Sequence, residues 1–163
     1  MKKLKNILLL GTLFSFFFIS CSSSDEDELT KAGPDFAISE LQGTWEATSA
    51  VFAYSGSGAS YDPVRIVADG GTVRLVVQSN GRFTLTIDTV DMDEFIVTGE
   101  MFFENNEFFA IRFDDEPNDY EYFGATLTSN TFALNSGPDV AEWDFDGDGN
   151  EEPASVSFEF IRK

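Results

Sequence analysis

From residue 72 onward, apolar and polar residues alternate with a period of two over one short segment after another. The clearest case is residues 82–90, where Phe83, Leu85 and Ile87 occupy every second position and the residues between them are polar. Successive side chains of a β-strand point to opposite faces of the sheet, so this period predicts strands with one buried face. The pattern therefore predicts a nearly all-β domain.

Short polar turns separate the alternating segments. Ser79-Asn80-Gly81 and Asn105-Asn106 suit tight turns that need positive φ, and the Gly-rich residues 54–71 predict a long loop. Such turns favour antiparallel neighbours in an up-and-down meander of eight or nine strands. The predicted strands are 43–52, 72–78, 82–90, 94–104, 107–114, 120–128, 131–134, 140–145 and 154–162, and residues 64–67 are a candidate for a short additional strand within the long loop.

A sheet of this width would leave exposed edges if it stayed open, so closure into a barrel is expected. A single helical turn within residues 36–41 is expected to cover one end of the barrel. Eight strands enclose either a packed interior or room for one small ligand. A filled barrel and a β-sandwich remain the alternatives.

The first predicted strand begins with Gly43-Thr44-Trp45. At the start of an all-β meander this segment resembles the Gly-x-Trp signature of lipocalins, and in particular the lipocalin-like domains of bacterial lipoproteins. The resemblance implies that Trp45 packs across the closed end of the barrel beside a short helical turn at residues 38–40. It covers roughly residues 36–163. Two further lipocalin motifs and a long helix after the last strand are not recognisable.

The N-terminus has the features of an export signal. Three lysines within the first five residues precede an apolar run over residues 7–19, which is too short to span a bilayer as a helix. Phe18-Ile19-Ser20-Cys21 then resembles the lipobox of bacterial lipoproteins, although Leu is usual where Phe18 stands. The resemblance implies that residues 1–20 are removed and that Cys21 carries the lipid. A plain signal peptide with an incidental Cys is the alternative.

The residues after Cys21 predict a tether. Residues 22–28 are serines followed by acidic residues, and a disordered segment is expected over residues 21–35, with the barrel over 36–163. Ser22 resembles the sorting pattern of outer-membrane lipoproteins, so we expect a lipid-anchored protein of the outer membrane, on its periplasmic or cell-surface face. The acidic run is either a plain spacer or a surface-export signal.

Charge and composition exclude several functions. Without residues 1–20 the chain keeps seven basic and 29 acidic residues, a net charge of −22, which disfavours nucleic acid as a partner. The chain has no His, and Cys21 is its only Cys, so disulfides, Cys/His zinc sites and His-based catalytic triads are excluded. A carboxylate-dependent enzyme such as a glycosidase remains, but acidic pairs are too common here to indicate one. We therefore expect no enzyme.

One loop carries the pattern of a metal site. Residues 144–152 place Asp at loop positions 1, 3 and 5, Gly at position 6 and Glu at position 9, as in the Asp-x-Asp-x-Asp-Gly calcium loops that they resemble. Position 12 is Ser155, so the bidentate Glu of an EF-hand is missing. A structural calcium ion is expected to join the last two strands and close the barrel. A solvated acidic turn is the alternative. The predicted ligands are Asp144, Asp146, Asp148, the carbonyl of Asn150, and Glu152.

Adjacent aromatic pairs raise a separate question about the outer face. Phe102-Phe103 and Phe108-Phe109 each place one ring on either side of a strand, and one ring of each pair is expected in the core. The outward ring is either covered by another part of the chain or belongs to a partner or membrane-proximal patch.

Two functions follow from this sequence. The first is a lipid-anchored envelope protein whose lipocalin-like barrel binds a small apolar or amphipathic ligand. The second is a filled barrel that acts through its surface, as a structural protein or on an envelope protein partner, with a calcium-bound hairpin and no ligand. The volume of the interior distinguishes them.

Overall fold

The alternating segments form strands in the computed structural model, which describes residues 28–90 and 92–163. A 3₁₀ turn at Ile38–Leu41 precedes the long strand that begins at Gly43, and the described part of the chain contains no α-helix and therefore no helix able to cross a membrane. The strands are β1 (Leu29–Thr30), β2 (Gly43–Tyr54), β3 (Val64–Arg65), β4 (Thr72–Val77), β5 (Arg82–Asp88), β6 (Phe95–Glu104), β7 (Phe108–Phe113), β8 (Glu121–Leu127), β9 (Thr131–Ser136), β10 (Ala141–Trp143) and β11 (Glu152–Arg162).

Eight of these strands close an antiparallel barrel. β2, β4, β5, β6, β7, β8, β9 and β11 each pair with the next in that order, and β11 returns to pair with β2. The closing ladder runs from Ala154 opposite Tyr54 to Arg162 opposite Trp45, with a bulge between Glu159 and Phe160. The predicted up-and-down, lipocalin-like barrel with a short N-terminal helical turn is confirmed, and a two-layered sandwich is excluded.

Two of the short strands, β3 and β10, lie in line with a barrel strand and pair with the same neighbouring strand. Ala154 of β11 pairs with β2 on one side and with Ala141 of β10 on the other, so β10 follows β9 along the same edge of β11. β3 likewise precedes β4 along β2. The predicted strand at 140–145 is therefore the continuation of β9 beyond a break at residues 137–140, not a separate member of the barrel.

The start of the described chain corrects the predicted tether. Leu29 and Thr30 pair with Glu104 and Phe103 of β6, and the amide of Asn105 donates a hydrogen bond to the carbonyl of Glu28 (2.8 Å). The chain therefore joins the barrel by residue 28, earlier than the expected boundary at 35. Backbone pairing with a free stretch of β6 outweighs the polar composition that had predicted disorder.

Large apolar side chains fill the closed end of the barrel. Trp45 is fully buried, and its indole N–H donates to the carbonyl of Leu41 in the 3₁₀ turn (2.8 Å). Phe132 packs against Trp45 and stacks on Phe160, and Ile38 closes the layer from below. Trp45 therefore lies where the lipocalin resemblance implied, beside the predicted turn.

Arg162 holds this closed end together, and the sequence analysis did not identify it. Its guanidinium carbon lies 4.0 Å from the centroid of the Trp45 ring. Its three nitrogens donate to the carbonyls of Ser129 (3.1 Å), Gln42 (2.8 Å) and Glu40 (2.7 Å). The side chain of Arg162 on β11 thus joins the 3₁₀ turn before β2 to the turn between β8 and β9. Gly43, beside it, has a φ of 140°, a region that suits glycine.

The outward-facing rings of the two adjacent phenylalanine pairs have different environments. Phe103 and Phe109 lie in the core, as expected of one ring from each pair. Phe102 is 1% exposed, because Tyr120 packs edge-on against it (5.3 Å) and Arg112 lies over its face (5.4 Å). Phe108 is 51% exposed. The outward ring is therefore covered in the first pair and exposed in the second.

We predict that Arg162→Ala lowers the free energy of unfolding by about 2–4 kcal/mol, because three charge-assisted hydrogen bonds and the stacking on Trp45 are lost together. Urea unfolding followed by circular dichroism measures the change. Arg162→Lys should restore only part of the loss, since one ammonium cannot reach all three carbonyls. The matched control, Arg74→Ala on the exposed outer face of β4, should cost less than about 0.5 kcal/mol. Equal losses in the alanine variants would contradict this role for Arg162.

Candidate functional site

The upper half of the barrel, opposite Trp45, encloses a cavity. Its volume is about 480 Å³, within the range of small-molecule sites, and it opens between the loops at the ends of the strands. Inward-facing side chains of β4, β5, β6, β7 and β11 form most of its wall, among them Leu85, Val97 and Phe113. The interior is therefore packed at one end and hollow at the other.

The physical reason for this division lies in the side chains of the two halves. At the closed end the 3₁₀ turn and the rings of Trp45, Phe132 and Phe160 meet in the middle of the barrel. Above them, the wall includes partly accessible side chains such as Leu85, Val97 and Phe113, which surround the cavity.

Trp143 of β10 narrows the mouth of the cavity. Its ring lies 4.6 Å from the ring of Phe52 on β2 and 6.3 Å from the ring of Phe95 on β6. These two strands stand apart around the barrel, so Trp143 bridges part of the opening. Sequence analysis missed this residue, because its role depends on how β10 leaves the barrel edge.

Carboxylates surround the mouth. Among the described residues that line the cavity there is no Lys or Arg. The acidic ones come from the β7–β8 loop, the start of β8, the β9–β10 link, β10 and the β10–β11 loop: Asp115, Glu116, Glu121, Asp139, Glu142 and Glu151.

Asp114, the neighbour of Asp115, has a different environment. Arg82 donates two hydrogen bonds to its carboxylate (2.7 and 2.6 Å) and Thr98 donates a third (2.6 Å). These bonds lower the pKa of Asp114 to about 2. The strongly paired carboxylate is thus outside the cavity, and the lining carboxylates have no such partner among the ion pairs of the described residues.

The Asp-rich loop lies between β10 and β11. One carboxylate oxygen from each of Asp144, Asp146 and Glu152 falls within 4.8 Å of the others, a spacing at which the three could hold a metal ion. The same groups also organise the loop. Asp144 accepts hydrogen bonds from the amides of Gly147 (2.7 Å), Asp148 (3.1 Å) and Gly149 (3.0 Å). The loop geometry is therefore compatible both with a cation and with a self-supporting acidic turn.

Asp148 is not part of this group, and the carbonyl of Asn150 stays a prediction. The carboxylate of Asp148 accepts hydrogen bonds from the backbone and side-chain nitrogens of Asn150 (2.8 and 2.9 Å) and does not join the convergent cluster. The expected role in barrel closure is also wrong. The loop links β10 to β11, whereas the barrel closes through β11 and β2.

Tyr61 of the long β2–β3 loop packs against the acidic loop. Its hydroxyl donates to Asp146 (3.3 Å) and its ring stacks on Phe145 (5.7 Å between centroids). Partial burial raises the pKa of Tyr61, and the negative charge of Asp146 raises it further. The sequence offered no signal for this contact, which joins residues 85 positions apart.

A second, smaller recess lies on the outside of the barrel near its closed end. Its volume is about 240 Å³, and Phe36, Phe108 and Gly124 are among its walls. It forms where the pairing of β7 with β8 is limited to Ala110 and Ile111. Cys21, the predicted lipidation site, lies outside the described residues.

Comparison of this chain with protein-family models, with curated proteins and with solved structures finds no match.

Proposed function

We propose that this chain is a lipid-anchored envelope protein whose barrel binds a small apolar or amphipathic molecule. The observation that carries the proposal is the cavity of about 480 Å³ within the barrel, with an apolar wall and an open mouth. Ligand sites in proteins are typically concave, largely apolar and preformed, with a few polar groups at one side. The mouth of a β-barrel is one of the usual places for such a site.

The cavity favours this function over a barrel that acts only through its surface. A structural barrel has no need of an empty interior, because unfilled volume costs dispersion contacts and stability. Here Trp45 and Phe132, two of the largest fully buried side chains, fill the closed end and do not line the cavity. The hollow half therefore has a cost that binding a ligand would offset.

The position of the N-terminus supports an anchor at the closed end. Glu28 is joined to the β6–β7 turn by its backbone, and this turn lies at the same end as Trp45. Seven residues connect Cys21 to Glu28, which limits the distance to about 25 Å. Leu29 and Phe108 are exposed at that end. A lipid on Cys21 would thus hold the closed end near the membrane and turn the mouth toward the aqueous compartment.

Ligand binding is tested with the neutral fluorescent probe N-phenyl-1-naphthylamine. We expect saturable binding with one site per chain, and Val97→Phe should weaken it by roughly tenfold or more, because the larger ring occupies the cavity. The matched control is Ile96→Phe on the exposed outer face of the same strand, which should leave binding unchanged. Thermal melts of both variants establish that they fold. Absence of binding to the folded parent protein, or an equal loss in both variants, would refute the cavity as a binding site.

The anchor is tested by replacing Cys21 with Ala in cells that process lipoproteins. We expect the parent protein to fractionate with the outer membrane and its N-terminal peptide to carry acyl mass beginning at Cys21. The variant should lose that mass and leave the membrane fraction. Ser22→Ala serves as the control that should keep the acyl group. A parent N-terminus without acyl mass would contradict the proposal.

A structural calcium ion at the β10–β11 loop is the second element of the proposal. It is supported by the convergence of Asp144, Asp146 and Glu152, three negatively charged groups whose repulsion a cation would relieve. Oxygen ligands of this kind suit calcium, which takes six to eight. The ion would stabilise the hairpin above the barrel and the contact with Tyr61, not the barrel closure.

Calcium is expected to raise the melting temperature by several degrees relative to chelator, since an ion at a hundred times its dissociation constant adds about 2.7 kcal/mol to stability. Asp146→Asn should abolish this response. Asp148→Asn removes a charge from the same loop but not from the convergent group, so it should retain the response. Terbium luminescence sensitised by Tyr61 provides a direct readout. Identical melting temperatures with calcium and chelator would exclude the site.

A further inference from the structure

We propose that the cavity is selective for an amphipathic cation, with the apolar part of the ligand inside the barrel and a positively charged head group at the mouth. This inference rests on the proposed ligand-binding function and specifies its ligand. It starts from the contrast between the two ends of the cavity. The wall at the inner end is apolar, whereas the lining residues at the mouth include six acidic ones, and no described lining residue is basic.

The acidity of the mouth is a local feature and not only a consequence of overall composition. The described residues of the four connections at the open end, 55–71, 89–94, 114–120 and 137–151, include fourteen acidic residues and one basic residue, Arg65. The short connections at the closed end, 78–81, 105–107 and 128–130, include one acidic residue, Glu107. The strand topology thus collects negative charge at the end where the cavity opens.

Four basic residues are held at the closed end or on the outer wall. Arg162 is bound to carbonyls beneath Trp45, and Lys163 forms an ion pair with Glu46. Lys31 and Arg112 both pair with Glu100 on the outside of β6. Each of these cations already has a partner away from the mouth. The mouth carboxylates therefore lack an internal counter-ion among the described residues.

This arrangement discriminates between head groups. A cleft with walls of low dielectric constant and one sign of charge concentrates the field and attracts ligands of opposite charge. An ammonium head at the mouth would lie among carboxylates such as Glu116, Glu121 and Glu142, and near the ring of Trp143, a side chain type that also attracts cations. A carboxylate or phosphate head would meet only like charge. The apolar tail would be buried against Leu85 and Val97.

The test compares three probes with the same tail and different heads: decylammonium, decanol and decanoate, each below its aggregation concentration. Displacement of N-phenyl-1-naphthylamine at low salt measures their affinities. We expect decylammonium to bind at least fivefold more tightly than decanol, and decanoate to bind most weakly. The preference for the ammonium should shrink as salt rises, because screening acts on the exposed mouth. Trp143 fluorescence, assigned by its loss in Trp143→Phe, should report the same order.

Matched variants separate the mouth from the overall charge. Glu116→Gln combined with Glu121→Gln should reduce the preference for decylammonium at least threefold and leave decanol binding unchanged. Glu28→Gln combined with Glu107→Gln removes the same charge at the closed end and should leave the preference intact. Equal affinities of the three probes, or equal effects of the two variant pairs, would overturn the cation selectivity while leaving the ligand cavity in place. Failure of every probe to bind would overturn both proposals.

Discussion

The pairing of β11 with β2 is the constraint on which the rest of the molecule depends. It joins the last strand of the chain to the first long one and converts a meander into a closed wall. The ladder also joins the strands that lie farthest apart in the sequence, so its formation carries a large loop-closure entropy cost. Once it forms, every inward-facing side chain has a defined opposite neighbour.

Closure alone does not decide whether the interior of an eight-stranded barrel is filled or hollow. In this chain one end of the barrel is filled and the other is hollow. At the closed end, Arg162 brings the last strand onto the ring of Trp45 and onto the carbonyls that surround it. A layer of large rings lies above the contact of Arg162 with Trp45 and leaves no space for a ligand at the closed end. Toward the other end the interior opens into the cavity, whose wall includes the rings of Phe83 and Phe113 as well as Leu85 and Val97. A single barrel thereby has a packed closed end and an open cavity, without a separate element for either.

Charged residues are also distributed unequally between the closed end and the mouth of the barrel. Arginines near the closed end bind carbonyls or carboxylates: Arg162 donates hydrogen bonds to carbonyls, and Arg82 forms an ion pair with Asp114. The carboxylates that line the cavity mouth have no ion-pair partner among the described residues. Repulsion among these groups destabilises the loops, and either a bound cation or a cationic ligand would relieve it. The acidic loop and the cavity mouth are thus two places where negative charge converges.

Sequence by itself determined the strands, the tight turns, the turn before the first strand and the burial of Trp45, because alternation and turn chemistry are local properties. It also indicated the loop in which carboxylate oxygens of Asp144, Asp146 and Glu152 lie within 4.8 Å of one another. Tertiary structure alone decided the contact of Arg162 with Trp45, the continuation of β9 into β10, the attachment of residues 28–30 to β6 and the orientation of Asp148 away from the cluster. It also decided that the barrel has a cavity and that carboxylates from several connections meet at its mouth. These features join residues far apart in the chain, and no local pattern records which distant side chains a closed barrel brings together.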